Sequence, residues 1–197
     1  MKGLGKTRYF EVSLLEYPVP EYSSTETLSF HMPNSTYWVE SPLSGAIAIV
    51  ARPSGRDWLQ DEVARLKSAD FSVLVSLLEE NEAIELGLES EMKVATNAGI
   101  EFRSFPIPDR NVPPVASFQQ FARSLHSAIS AGKTAGVHSR AGIGRSSLLV
   151  GAVLVLSGLT PDAAWLRIEK ARGVPVPDTP AQRAWLSELA RSLQDTY

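Results

Sequence analysis

Val137-His138-Ser139-Arg140-Ala141-Gly142-Ile143-Gly144-Arg145-Ser146-Ser147 is the stretch on which the reading of this chain turns. Before it, Thr134-Ala135-Gly136-Val137 is short, small and apolar, which predicts a buried strand. After it, residues 147–156 are almost wholly apolar, and Gly158 is placed to end a helix. The intervening loop therefore joins a strand to a helix, and its two glycines permit a tight curl. Successive N–H groups in such a loop point inward at the positive end of the helix, which makes an anion site. Arg145, at the mouth of that helix, adds a planar fork of donors matched to two oxygens of a phosphate.

The same residues resemble a known family. His138-Ser139-x-x-Gly142-x-Gly144-Arg145-Ser146 is similar to the signature of the cysteine-based protein tyrosine and dual-specificity phosphatases, His-Cys-x-x-Gly-x-Gly-Arg-Ser/Thr, with Ser139 standing where that family has its nucleophile. The resemblance implies phosphate or sulfate held by Ser139, Arg140, Ala141, Gly142, Ile143, Gly144 and Arg145. It implies two-step phosphoryl transfer with no metal or other cofactor, Arg145 stabilising the equatorial oxygens. Ser146 would then help the nucleophile leave, and His138 would buttress the loop without transferring protons itself.

Other loop chemistries fit less well. Gly132-Lys133-Thr134 is similar to the end of a nucleotide-binding loop, but Ser127 stands where its first glycine belongs. It also precedes the strand, so Gly132 is expected to end a helix. Gly142-x-Gly144 lacks the third glycine and the later acidic residue of a dinucleotide fingerprint. A serine-hydrolase elbow needs glycines where Val137 and Ala141 stand, and no histidine follows His138 to act as a late base.

Phe105-Pro106-Ile107-Pro108-Asp109-Arg110-Asn111-Val112-Pro113-Pro114 is the second informative segment. Prolines on both sides stiffen a loop at the carboxyl end of an expected strand, where α/β proteins build sites. It resembles the general-acid loop of dual-specificity phosphatases, particularly the compact kinase-associated type, which makes Asp109 the candidate acid. Alone, an aspartate there would only order a turn. Gln182 loosely resembles the glutamine that orients water in some tyrosine phosphatases, but Thr179 and Gln182 also spell an ordinary capping box.

Around these segments the chain alternates strand and helix. Tyr37-Trp38-Val39 and residues 46–50 read as strands, the second too apolar for an exposed edge. Residues 57–69 space Trp58, Leu59, Val63, Leu66 and Ala69 as an amphipathic helix, and residues 71–78 form an interior strand. A helix over 90–98 and a strand over 100–105 follow, then a helix opened by a Ser117–Gln120 capping box and carrying His126 beside its apolar stripe. Thr160-Pro161 starts another helix. The expected fold is one α/β domain over 36–197, a mainly parallel central sheet with helices on both faces. Residues 1–35 read as an N-terminal arm, with a strand at Arg8–Val12, an extended run at Tyr17–Pro20, and His31 without chemical context.

Composition bounds the partners. At 197 residues and 44% hydrophobic, the chain can bury one sizeable core. A net charge of −3 offers no basic face for nucleic acid or an anionic membrane. The basic residues near the start precede no apolar core, and no run approaches the roughly 18 residues a bilayer needs, so no membrane span and a cytoplasmic location are expected. The absence of cysteine excludes disulfides and thiolate metal sites, and three scattered histidines suggest no zinc site.

Ser139 decides activity. A helix terminus lowers a cysteine pKa to about 3.5–7.5, but a serine hydroxyl starts far higher and the motif positions no base for it. The chain as written should bind a phosphorylated protein or peptide without turning it over. With every other motif position in place, that favours a substrate-trapping form of a phosphotyrosine or dual-specificity phosphatase. The alternatives are a natural pseudophosphatase and a phosphatase of inositol lipids or small phosphates. Arg110 and Arg140 speak for the last, and Ile143, where lipid-directed relatives often place lysine, speaks against it.

Overall fold

Strand–helix alternation builds the expected α/β sheet in the computed structural model, which describes residues 36–194. The strand expected at Arg8–Val12, the run at Tyr17–Pro20 and His31 lie outside the described residues. Five strands, β1 (Thr36–Val39), β2 (Ala46–Val50), β3 (Val73–Ser76), β4 (Glu101–Ser104) and β5 (Thr134–His138), lie in the order β1-β2-β5-β3-β4. Only β1 runs antiparallel to its neighbour. The apolar β2 is interior, as its composition requires.

Successive residues of a strand face opposite sides, and two cores result. Ile47, Ile49, Val73, Val75, Ala135 and Val137 enter one core with α4 (Val115–Ser130), α5 (Arg145–Leu156), α6 (Pro161–Arg172) and α7 (Pro180–Gln194). Ala48, Val50 and Leu74 enter the other, with α1 (Leu59–Ser68), α2 (Glu80–Glu85) and α3 (Glu91–Asn97). Helix α5 is apolar on all sides because α4, α6, α7, β2 and β5 enclose it. Its buried N-terminus is thus fixed against the sheet. Since β3, β4 and β5 are parallel, the chain leaves all three at one edge of the sheet. The segments after them, leading to α2, to α4 and to α5, assemble the site.

Some local expectations need correction. A 3-10 turn over Arg56–Trp58 precedes α1, and Trp58 is 65% exposed instead of joining the core stripe; Leu59 and Val63 carry the burial. Helix α4 begins at Val115, two residues before Ser117, behind an extended Pro114. The Ser117 hydroxyl donates back to Pro114 O at 3.4 Å, so no Ser117–Gln120 capping box forms. The short α2 was not expected at all. At six residues, it is too brief to display a helical period. Thr160 does cap α6, accepting from Ala163 N with Pro161 in the first turn.

Candidate active site

The loop between β5 and α5 closes on Ser139. Its Oγ accepts from Gly142 N at 3.3 Å and from Ser146 Oγ at 3.0 Å, at the N-terminus of the twelve-residue α5. Both donors favour negative charge on whatever atom occupies that position. Two glycines make the loop possible. Gly142 has φ +68°, which a side chain would strain. At Gly144 an added Cβ would collide with Asp178 Oδ2 and sit 2.8 Å from Gln182 Oε1.

Arg145 is almost wholly buried, 2% exposed, and a buried guanidinium needs partners. Glu82 of α2 supplies two hydrogen bonds, at 2.6 Å from Nη1 and 2.9 Å from Nη2. The carbonyl of Ile107 accepts from Nη1 at 2.9 Å. The second ion pair runs from Nη2 to Asp109 Oδ1 at 3.0 Å. Arg145's hydrogen bonds hold the Glu82 carboxyl below the usual carboxylate range, against the opposing effect of its burial.

Asp109 itself is exposed, but its loop is held at several points. Phe105 N and Ile107 N donate to Ser76 O and Leu77 O, continuing the sheet pairing. Asn111 N closes a turn on Pro108 O across Asp109 and Arg110, the latter with φ +59°. From α7, Gln182 Nε2 donates to Asn111 O at 3.1 Å and Trp185 Nε1 to Pro113 O at 2.8 Å. Phe118 packs edge-on to both Phe105 and Trp185. Asp109, Arg110, the loop from Ser139 to Arg145 except Gly142, and Asp178 line a cleft of about 170 Å³.

The structure places the remaining sequence candidates as follows. Ser146 is buried against Ser139. His138 is fully buried, with Nε2 2.9 Å from Glu91 Oε1, so α3 buttresses the residue before Ser139. Arg140 borders the cleft, but its guanidinium grips Glu85 at 2.5 and 3.0 Å, which raises its own pKa and lowers that of Glu85. Ala141 and Ile143 line the cleft. Gln182 keeps half of a capping box, its N–H on Thr179 Oγ1 at 3.2 Å, while its side-chain Nε2 donates to the Asp109 loop and its Oε1 lies beside Gly144, buried and without a hydrogen-bond partner.

Sequence reading missed Glu82, Glu85, Glu91, Asp178 and Trp185. A signal existed for the first two. The acidic run Glu79-Glu80-Asn81-Glu82-Ala83-Ile84-Glu85 follows a parallel strand, at the edge where the arginines needed anions. Nothing local marked Glu91 or Trp185.

The arrangement is a buried arginine fork, an acid and a hydroxyl converging at a helix N-terminus, which is phosphate-ester chemistry. A family model described as "Polymorphic toxin system, DSP-PTPase phosphatase" matches residues 49–159, more than half of the chain. The chain belongs to this family. No curated protein matches it. Among solved structures, it is similar to kinase-associated phosphatase in a form whose catalytic-site cysteine is substituted by serine (21% identity, 83% of this chain and 98% of that chain covered, TM-score 0.76). It is similar to Tk-PTP in the active form (26% identity, 81% and 99% covered, TM-score 0.67). It also shares the fold of PTPMT1 in complex with PI(5)P (23% identity, 81% and 98% covered, TM-score 0.66). No helix among the described residues is long and apolar enough to cross a membrane.

Proposed function

We propose that this chain is the substrate-trapping form of a cytoplasmic, cysteine-dependent protein phosphatase that acts on phosphotyrosine and also accepts phosphoserine and phosphothreonine. The observation that carries this reading is the Arg145 fork, held by Glu82 and set 3.0 Å from Asp109, at the loop that cups Ser139. A form of kinase-associated phosphatase whose catalytic-site cysteine is substituted by serine shares the fold, and supports the trapping reading by analogy.

With cysteine at this position, the donors from Gly142 and Ser146 and the start of α5 would favour a thiolate. The thiolate attacks phosphorus and the P–O bond to the substrate breaks. Arg145 and the loop N–H groups carry the charge on the equatorial oxygens. Asp109, protonated, gives its proton to the departing oxygen. In the second step its carboxylate takes a proton from water as the water oxygen attacks phosphorus. The P–S bond then breaks and inorganic phosphate leaves, Ser146 donating to the released sulfur. With Ser139 the hydroxyl stays neutral, so ligand is bound and not consumed.

The test is equilibrium binding of a phosphotyrosine peptide and its unphosphorylated twin to the Ser139 protein. The phosphopeptide alone should bind, and Arg145→Lys, which keeps the charge but loses the fork, should weaken it by at least tenfold. Equal binding of both peptides rejects the reading.

A further inference from the structure

A second cavity, about 350 Å³, opens between α2, α3 and the edge strand β4, and the phosphatase chemistry makes no use of it. Its size falls in the ordinary range for small-molecule sites, about 300–1,000 Å³. Helix α2 divides its residues between the two sites. Glu82 and Glu85, three apart, reach Arg145 and Arg140, while Glu80, Ala83 and Ile84 line the cavity.

The lining has a definite chemistry. Its apolar part includes Phe102, Ile84 and Met92, the last two 55% and 59% exposed. Its charged residues are Glu80, Glu89 and Glu91, and no lysine, arginine or histidine lines it. Glu80 and Glu89 are at the exposed rim, whereas Glu91 is 3% exposed. The Glu91 carboxylate is also the group 2.9 Å from His138 Nε2, without the geometry of a formed hydrogen bond. One wall residue therefore touches both the cavity and the residue that precedes Ser139.

We propose that this cavity binds an organic cation with an apolar body, an arylalkyl- or alkylammonium, and that its occupancy is felt at the phosphate loop through Glu91 and His138. The apolar walls take the body, and the three carboxylates take the ammonium, which offers three donors and no acceptor. A neutral analogue would forgo charge-assisted hydrogen bonds, and an anion would face like charges. The proposal stands apart from the catalytic reading, because neither the cavity nor the Glu91–His138 contact needs turnover.

The experiment is calorimetric titration of the Ser139 protein with 2-phenylethylamine, 2-phenylethanol and 3-phenylpropionate, alongside NMR of the His138 ring, tractable in a chain with three histidines. The amine should bind one to one, roughly tenfold tighter than the alcohol, with the carboxylate weakest. The His138 ring signals should shift as the amine saturates. Ala83→Trp should fill the cavity and abolish binding, and Glu80→Gln, a change at the exposed rim, should weaken it in a protein of unaltered thermal stability. Equal affinity for amine and alcohol, binding that survives Ala83→Trp, or His138 signals indifferent to saturating amine each overturns the proposal.

Discussion

Nη2 of Arg145 lies 3.0 Å from Oδ1 of Asp109, so the cation proposed to bind phosphate and the candidate acid are paired with each other. An incoming phosphate competes with that carboxylate for the same face of the guanidinium. Asp109→Asn in the Ser139 protein should therefore tighten tungstate binding severalfold, because it removes a like charge and leaves only a neutral amide oxygen to compete for the guanidinium. Calorimetric titration reads this directly; weaker binding in the variant would mean that Asp109 helps to hold the anion.

In the Ser139→Cys background the same substitution should act on rate instead. Asp109→Asn should slow phosphotyrosine turnover by about 10²–10⁴-fold, the ordinary range for a lost general acid. An aryl phosphate whose leaving group is already a weak base should be slowed much less. Equal slowing of both substrates would assign Asp109 to loop structure, not proton transfer.

Glu82 and Arg145 are both buried, and their two hydrogen bonds leave the arginine dependent on the carboxylate. Glu82→Ala should cost about 3–5 kcal/mol of stability, the range for breaking a buried pair by removing one partner. The pH dependence follows from the sign of the shift. The Glu82 carboxyl is depressed in the folded protein, so its contribution is complete above the ordinary value of 4.5 and is lost as pH falls through the depressed one. Melting temperature measured below pH 4.5 should fall less steeply in Glu82→Gln than in the parent, although the variant starts lower.

The most legible parts of the sequence were those where backbone geometry or periodicity leaves a local mark. The apolar β2 and β5, the glycines of the Ser139 loop, the Thr160-Pro161 start and the proline-bracketed Asp109 loop are of this kind. The partners that hold the site were not. Glu82 lies 63 residues from Arg145 and Trp185 lies 72 from Pro113, and such pairings arise only when strand order brings distant loops to one edge. The Ser117–Gln120 box failed because a serine pattern cannot tell that Pro114 has already opened the helix.

Trp185 and Gln182, three residues apart on α7, hold two carbonyls of the Asp109 loop. Trp185→Phe leaves Pro113 O without its donor, at a cost of about 1–3 kcal/mol. In the Ser139→Cys protein it should lower kcat on phosphotyrosine peptide while tungstate affinity stays within twofold of the parent. A matched loss of both would place the tryptophan in general packing.

The most direct test of the account is phosphate release by Ser139→Cys protein from a phosphotyrosine peptide and an aryl phosphate, with a chelator present and no added metal. Turnover of both is expected, blocked by vanadate and absent from the Ser139 parent under the same conditions. A Ser139→Cys protein that binds the phosphopeptide yet releases no phosphate from either substrate would contradict it, and would make the chain a phosphate-recognition module.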